Sequence, residues 1–286
     1  MHPYVLYNDE IVPATQPILR AGQLGALSGW GVFTTLRIYQ GIPFAFDRHW
    51  ARISRDAALI HVDLPFDPQE VRSRLLNLID RNRAPEASLR LCILRSERGV
   101  FAGPGEGNVS DLIAFSIGVR SRAETATLTV REHGRHAASP FAGAKILSWA
   151  HNLTMVEEAQ QAGFDEVILL NERAEVAECT SANIFAVRGG TILTPPLSSG
   201  PLPGVTRKVM IEELDDSDAA VREEILRLED LLEADEVFIT SSTRELLPIV
   251  RINDQSLSNG PWPVMERARK ALRAYVKDYI EAAKTS

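Results

Sequence analysis

Two ionisable residues of this sequence stand among apolar neighbours, where a charge is costly to bury. Lys145 lies in "FAGAKILSW", between small and apolar residues, and Glu178 lies in the strand-like stretch "EVAECTSANIF". A lysine in such a place has to be paired or deprotonated, and a desolvated lysine amine forms Schiff bases with carbonyl compounds. Two plainer interpretations stay open: Lys145 can extend its amine out of a strand, and Glu178 can point to water. If Glu178 is buried, it needs a dedicated partner.

Two other segments offer groups that bind anions. In "TILTPPLSSGPLPGVTRKVMIEEL" a strand and a proline-rich loop precede a helix that opens at 204–206, where backbone N–H groups and the positive end of the helix dipole attract anions. In "DEVFITSSTRELLPI" a buried strand ends in two serines and a threonine at 241–243, and phosphates bind at such carboxyl ends of strands. Each segment has a simpler alternative, which is Thr206 as a helix cap in the first and an ordinary polar turn in the second.

These features together match the requirements of one cofactor. Pyridoxal 5′-phosphate needs an amine for a Schiff base, a cradle for its phosphate dianion and an acidic partner for its pyridine nitrogen. Lys145, the two candidate anion sites and Glu178 supply these groups. The sequence therefore predicts a pyridoxal-phosphate site in which Glu178 is buried against the ring nitrogen.

Other common site signatures do not occur in the sequence. There is no GxSxG, GxxxxGK[ST] or HExxH, and His133 and His136 in "HGRH" are interpreted as solvated loop residues, so no metal site is predicted. The net charge of −7, without any lysine or arginine run, argues against nucleic acid and membranes as partners and favours small molecules. Two cysteines without CxxC spacing, no basic leader and no long apolar window predict a cytoplasmic protein.

The length of 286 residues predicts two domains. We expect a small α+β domain over 1–120, a linker over about 121–133 and a larger domain over 134–286. Strands and helices are mixed in both parts, so the predicted fold class is α+β, or mixed α/β.

Local signals place the elements of the first part. Gln40-Gly41 indicates a hairpin, and Asp47 and Asp67 are predicted to cap two helices. The glycine-rich stretch "SERGVFAGPGEGNV" between two strands is predicted to be a mobile flap. In the second part, a long final helix is predicted from about Pro263.

The chain resembles the fold-type IV pyridoxal-phosphate enzymes, the class IV aminotransferases. The resemblance rests on four motifs in order, "GWGVFTTLRIYQGIPFAFDRHWARI", "AECTSANIF", "LPGVTR" and "DEVFITSSTRELLPI", and covers nearly the whole chain. The family includes branched-chain aminotransferases, D-amino-acid aminotransferases and 4-amino-4-deoxychorismate lyase. It implies a small N-terminal α+β domain, a larger pseudobarrel domain, a site between the two, and a homodimer whose neighbouring subunit supplies loops.

The resemblance also implies roles for individual residues. Lys145 would form the Schiff base and move the substrate proton, and Glu178 would face the pyridine nitrogen. The other cofactor-binding positions would be Arg48, Leu202, Gly204, Val205, Thr206, Ser241 and Ser242. Phe33 and Thr35 would line the substrate pocket, with Arg90 or Arg95 as candidates for binding a substrate carboxylate.

Differences within the motifs indicate which reaction of the family the protein catalyses. Many branched-chain enzymes have a tyrosine five residues after the lysine, and here that position is Ala150; Ser28 and "FTTLR" stand where those enzymes have a Tyr-x-x-x-x-Phe-Glu-Gly-x-Arg stretch. "AECTSANIF" is closer to the lyase, whereas "LPGVTR" and "SSTRELLPI" are closer to the aminotransferases. We expect transfer of an amino group from a branched-chain or similar aliphatic amino acid to a 2-oxo acid such as 2-oxoglutarate. The lyase, D-amino-acid transamination and a non-catalytic binding module are the alternatives, and the intact Lys145, Glu178 and Arg48 argue against the binding module.

Overall fold

A computed structural model describes residues 1–19, 22–96, 109–119, 123–214 and 220–285. The predicted flap therefore lies almost wholly outside the described residues. The chain divides into two compact units, of which the first is Met1–Arg120 with Ala144–Trp149 and Tyr279–Ser286. The second unit is Ser121–Gly143 with Ala150–Asp278.

This division differs from the expected boundaries in three places. The segment that carries Lys145 and the last residues of the chain belong to the first unit rather than to a domain over 134–286. The expected linker over 121–133 contains a strand, Ala126–Arg131, which is paired on both sides in the sheet of the second unit. Its alternating burial explains why a polar stretch of sequence can still form a strand.

The first unit is built on a six-stranded sheet in the order β2-β1-β6-β5-β3-β4. Its elements are β1 (Tyr4–Tyr7), β2 (Glu10–Pro13), α1 (Leu24–Ser28), β3 (Gly31–Tyr39), β4 (Ile42–Pro43), α2 (Phe46–Leu59), α3 (Pro68–Arg81), β5 (Ala87–Arg95) and β6 (Ser110–Gly118). One face of the sheet packs against α2 and α3 in an apolar core that includes Leu36, Ile53 and Leu75. The opposite face carries a smaller cluster around Phe33.

Turn and cap chemistry account for most of these elements. Gln40 and Gly41 both have positive φ, 51° and 83°, as a tight hairpin turn between β3 and β4 requires. Asp67 caps α3 as predicted, because its side chain accepts the N–H groups of the first turn. The predicted cap at Asp47 is wrong, because the chain turns into α2 at Ala45, whose φ is 53°, and Asp47 lies inside the first turn.

The second unit has a nine-stranded sheet, in the order β12-β11-β10-β13-β14-β7-β8-β9 with β15 paired to β14. Its elements are β7 (Ala126–Arg131), α4 (Ala150–Gln161), β8 (Glu166–Leu170), β9 (Val176–Cys179), β10 (Asn183–Arg188), β11 (Thr191–Thr194), a short 3₁₀ helix (Leu197–Ser199), α5 (Val205–Glu213), β12 (Val221–Glu223), α6 (Leu228–Leu232), β13 (Glu236–Ser241), β14 (Glu245–Ile252), β15 (Gln255–Ser256) and α7 (Pro263–Thr285). The final helix begins at Pro263 as predicted, and its last residues, from Tyr279, are grouped with the first unit.

The order of strands requires this sheet to curl. β9 stands at one end of the order, five strands away from β10, yet only three residues of chain join the two strands. Neighbouring strands are about 4.8 Å apart, so a flat sheet would separate β9 from β10 by roughly 24 Å, more than the ~14 Å that the connection can span. The Cys179 N–H donates to the Ala182 carbonyl across this tight turn at 2.8 Å. Glu178 lies directly before it.

No helix within the described part of the chain is both long enough and apolar enough to cross a membrane.

Candidate active site

The backbone from Lys145 to Leu147 is bound to the edge of β3. Phe33 N donates to Lys145 O at 3.0 Å, and Leu147 N donates to Gly31 O at 2.8 Å. Gly31 makes this approach possible, since a Cβ there would lie 2.4 Å from Ile93 O and 2.6 Å from Leu147 Cδ1. These bonds explain why the Lys145 segment is part of the first unit.

The Lys145 side chain is half-buried and lies against two aromatic rings. Its Nζ is 4.6 Å from the centre of the Phe33 ring and 4.7 Å from that of Trp149, and the two rings meet edge to face with centres 5.5 Å apart. Such contacts stabilise an ammonium by cation–π attraction. Trp149 was not predicted as a site residue, although an aromatic residue directly before Ala150 was visible in the sequence.

The structure groups three of the four predicted substrate residues. Arg90 places its guanidinium carbon 4.5 Å from the centre of the Phe33 ring, the ring that also contacts Lys145. Thr35 is the register partner of Arg90 across β3 and β5. Phe33, Thr35 and Arg90 therefore share one face of the sheet, because residues of the same parity on a strand face the same side.

Arg95 lies on the opposite face. Its guanidinium carbon is 4.2 Å from the centre of the Trp30 ring, and its Nη1 donates to His61 O at 3.2 Å. Arg90 and Arg95 are an odd number of residues apart on β5, so their side chains point in opposite directions. Of the two candidate carboxylate ligands, the structure brings only Arg90 together with Phe33 and Lys145.

Helix α2 carries a second arginine that the sequence did not single out. Arg48 is half-buried in the first turn, whereas Arg52, one turn later, is buried. Arg52 Nη2 donates to Thr34 Oγ1 at 2.6 Å, and this hydroxyl is also 2.6 Å from His49 Nδ1. Burial, then the charges of Arg52 and Lys145, hold the pKa of His49 well below its usual range. Arg52 thus adds a buried positive charge beside His49, whose pKa the charge of Lys145 also lowers.

In the second unit, Glu178 is buried in β9 and both of its carboxylate oxygens are bound. Arg135 Nη2 donates to Glu178 Oε1 at 2.5 Å, and the backbone N–H of Leu202 donates to Oε2 at 3.0 Å. The plainer interpretation of Glu178, a side chain that points to water, is therefore wrong. Arg135 lies between the two histidines of "HGRH", so the loop that the sequence suggested to be merely solvated provides a counter-ion.

The "LPGVTR" motif forms the start of α5. Gly204 is the N-cap residue, and Val205 and Thr206 are buried in the first turn. A Cβ on Gly204 would lie 2.0 Å from Asn183 Oδ1, while Asn183 Nδ2 donates to Leu202 O at 2.8 Å. Only glycine allows this packing, which fixes the loop that also binds Glu178. The cap is Gly204 rather than Thr206.

Ser241 ends β13, and Ser242 begins the turn that follows and is bound to the loop after Glu178. Arg244 N donates to Ser241 Oγ at 3.2 Å, and Arg244 Nη1 donates to Ser181 Oγ at 2.9 Å. Arg244 Nη2 is also 3.6 Å from the buried carboxylate of Glu166. Arg244 was not predicted, and it connects the turn at Ser241 to the loop that follows Glu178.

Metal ligands are not grouped in the described residues, where no three histidine, cysteine, aspartate or glutamate side chains are placed to hold an ion.

Comparison with known proteins agrees with this fold. The family model of the class IV aminotransferases matches residues 31–252. The chain is 29% identical to the D-alanine aminotransferase of Bacillus licheniformis, over 98% of this chain and 99% of that protein. It is 26% identical to the branched-chain-amino-acid aminotransferase of Escherichia coli, over 94% of this chain and 91% of that protein.

A solved structure is similar to this chain in its fold as well as in its sequence. The branched-chain aminotransferase from the thermophilic archaeon Thermoproteus uzoniensis, with norvaline, matches with a TM-score of 0.87 and 25% identity, over 96% of this chain and 95% of that chain. Fold and sequence together define an enzyme that transfers amino groups. The chain belongs to the class IV aminotransferases, which confirms both the resemblance and the predicted fold class. Enzymes of this class use pyridoxal 5′-phosphate, so the predicted cofactor is confirmed as well.

Proposed function

We propose that this aminotransferase binds its pyridoxal 5′-phosphate at Lys145 and transfers an amino group from a branched-chain or similar aliphatic amino acid to a 2-oxo acid. The observation that carries the proposal is the placement of Lys145. Its backbone is bound to β3, and its amine lies on Phe33 and Trp149. A lysine held in this way presents one amine in one position, as a covalent cofactor requires.

The chemistry of the remaining groups fits the cofactor. Arg52, with Arg48 one turn away, offers positive charge for the phosphate in the first unit. In the second unit, the first-turn N–H groups at Val205 and Thr206 and the hydroxyls of Ser241 and Ser242 are the corresponding donors. Leu202 provides an apolar side chain for the ring, next to Gly204.

When bound, pyridoxal phosphate supplies an aldehyde carbon that joins amines and a ring that takes up the electron pair left at the substrate Cα. The protein's part is to move and hold protons. Lys145 Nζ would accept the proton from the substrate Cα and would deliver it to the carbon that was the cofactor's aldehyde carbon. Glu178, ionised beside Arg135, holds a proton on the ring nitrogen by its negative charge. Phe33 and Trp149 cover part of the amine against water.

The substrate assignment rests on the face around Phe33. Cys92, Leu94 and Ile113 form an apolar cluster with Phe33, and Leu147 and Trp149 pack against it. This surface suits an aliphatic side chain, while Arg90 provides a charge for the carboxylate. D-amino-acid transamination is the second candidate, because the D-alanine aminotransferase of Bacillus licheniformis matches this chain over 98% of its length. The lyase reaction is the third candidate.

The purified protein, loaded with pyridoxal phosphate, is incubated in turn with L-leucine, D-alanine and 4-amino-4-deoxychorismate. We expect L-leucine to convert the absorption of the cofactor to that of its aminated form, and 2-oxoglutarate to reverse the change. Conversion by D-alanine alone would establish the second candidate. Release of pyruvate and aminobenzoate without conversion would contradict the proposed transamination.

Assembly and location complete the proposal. We expect a homodimer in the cytoplasm, and the two buried free cysteines, Cys92 and Cys179, are consistent with a reducing compartment. Light scattering of the purified protein measures the assembly, and a mass near 31.6 kDa, that of one chain, would contradict the dimer.

A further inference from the structure

Helix α2 buries an unusual set of residues on one face. His49, Arg52 and Asp56 are all buried, at spacings of three and four residues that align them along the helix. The buried stripe of an amphipathic helix is ordinarily apolar, and ionisable residues are rarely buried without a partner. Arg52 and His49 share the hydroxyl of Thr34. Asp56 has a different partner.

The Asp56 carboxylate binds the backbone of Lys145. Its Oδ2 accepts the Lys145 N–H at 3.0 Å, and its Oδ1 accepts Arg55 Nε at 2.9 Å. The carbonyl of Lys145 accepts the Phe33 N–H at 3.0 Å. Both backbone polar groups of Lys145 are thus bound, one to a strand and the other to a carboxylate 89 residues earlier in the chain.

The ion pair with Arg55 does not explain why Asp56 is buried. The Arg55 side chain is 47% exposed, whereas that of Asp56 is 1% exposed. An ion pair with an exposed arginine forms equally well at the surface, where it avoids the cost of removing a carboxylate from water. The contact that requires burial is the one to the Lys145 N–H, and hydrogen bonds from N–H groups to an ionised carboxylate are among the stronger ones.

We propose that Asp56 is a positioning residue that fixes the backbone of Lys145 and thereby the position of its amine. The inference rests on the proposed function in so far as Lys145 is the amine that takes up the cofactor. A displacement of about 1 Å in a reacting group can lower a rate by about 10²-fold. Asp56 acts on Lys145 through the backbone and does not itself exchange protons with substrate.

Three variants separate this role from a purely structural one. Asp56→Leu keeps the branched shape of the side chain and removes the acceptor. Asp56→Asn keeps an oxygen that accepts the Lys145 N–H, and Arg55→Gln removes the ion pair but leaves the carboxylate. Apoprotein of each variant, checked for an unchanged circular dichroism spectrum, is mixed with pyridoxal phosphate. Borohydride is added at set times, and the label on Lys145 is measured by peptide mass spectrometry.

We expect labelling of Lys145 in Asp56→Leu to slow by about tenfold or more. Asp56→Asn should recover most of the rate, and Arg55→Gln should match the unchanged protein. Equal rates in Asp56→Leu and the unchanged protein would overturn the inference, as would a loss in Arg55→Gln as large as that in Asp56→Leu. If Asp56→Leu does not fold, Asp56→Ala, which leaves room for water, takes its place.

A second measurement needs no cofactor, so it tests the positioning role of Asp56 separately from the proposed function of Lys145. Amide hydrogen exchange at Lys145 in the apoprotein, followed by NMR, should accelerate in Asp56→Leu or Asp56→Ala and change least in Arg55→Gln. Unchanged exchange would overturn the positioning role. If the unchanged protein takes up no label at Lys145 but exchange responds as expected, the proposed function fails and the contact between Asp56 and Lys145 stands.

Discussion

Arg135 and Glu178 form an ion pair between a partly exposed guanidinium and a buried carboxylate, in which Arg135 Nη2 donates to Glu178 Oε1 at 2.5 Å. The other carboxylate oxygen accepts the N–H of Leu202, so one side chain joins the "HGRH" segment to the loop before α5. The guanidinium stabilises the negative charge of Glu178, which is the state that holds a proton on a pyridine nitrogen. The effect of a substitution at Glu178 therefore depends on whether it removes only the charge or the whole side chain that binds Arg135.

Glu178→Gln should keep the fold and lose activity. The amide oxygen still accepts a hydrogen bond, but the negative charge is gone, and removing such an electrostatic contribution costs roughly 10²-fold in rate. The measurement is the transamination rate beside the thermal unfolding temperature. A Glu178→Gln enzyme as active as the unchanged protein would count against the role of Glu178.

Glu178→Ala should be less stable as well as inactive. It leaves the mostly buried Arg135 without this counter-ion, and breaking a buried ion pair on one side typically costs about 3–5 kcal/mol. The free energy of unfolding in urea, compared between the alanine variant and the unchanged protein, measures the loss. Equal stabilities would mean that the ion pair contributes little to the fold.

Arg52 should contribute more to cofactor affinity than Arg48. Arg52 is buried and hydrogen-bonded to Thr34, whereas Arg48 is half-buried. A charge-assisted hydrogen bond contributes roughly 1.5–3 kcal/mol, so Arg52→Gln should weaken binding of pyridoxal phosphate by about tenfold or more. Fluorescence titration of the apoprotein gives both dissociation constants. A larger rise in the dissociation constant for Arg48→Gln would indicate that Arg48 binds the phosphate, as the resemblance implies.

Gly204→Ala should destabilise the second unit. The added Cβ would lie 2.0 Å from Asn183 Oδ1, so the loop at Leu202 has to move, and overpacking of this kind costs about 1–3 kcal/mol. Urea denaturation measures the change. Gly118→Ala is the matched control, since a Cβ there meets nothing within 4 Å and the backbone conformation is ordinary. An equally small effect in both variants would show that the loop yields at little cost.

The stability of the folded protein should depend on pH through Glu175. Hydrogen bonds from Arg173 first, then from Asn171 and Ser199, lower the pKa of Glu175 to about 2, against an ordinary value of 4.5. Because the folded-state pKa is depressed, the stabilisation is present above about pH 4.5 and is lost as the pH falls towards 2. Glu175→Gln should therefore lose less stability than the unchanged protein between about pH 5 and pH 3 in urea unfolding. The exposed Glu157→Gln serves as control, and identical slopes in all three proteins would contradict the contribution of Glu175.

Sequence signals that span only a few residues were sufficient to predict most of the helices and strands. Asp67 followed by proline predicts α3, and its Oδ1 indeed accepts the N–H groups of Gln69 and Glu70 at 2.9 and 3.0 Å. At α2 the same reasoning failed at Asp47, because the positive φ of Ala45 starts the helix earlier. No residue type signals that conformation, since alanine rarely adopts it.

Among the charged residues of the proposed site, the local pattern singled out those that stand among apolar neighbours. Lys145 and Glu178 have such surroundings, whereas Arg135, Arg52, Asp56 and Arg244 lie in polar stretches that are typical of a solvated surface. Their partners lie far along the chain, 43 residues away for Arg135, 63 for Arg244 and 89 for Asp56. Tertiary packing of this range leaves no trace in a local pattern, so these four residues could be identified only from the structure.

The identity of the amine that binds the cofactor is the most direct test of the proposed function. Borohydride reduction of the protein loaded with pyridoxal phosphate, followed by peptide mass spectrometry, should place one phosphopyridoxyl group on Lys145, and Lys145→Ala should show neither the label nor transamination. A label on another lysine, or a Lys145→Ala protein that transaminates at the unchanged rate, would contradict it.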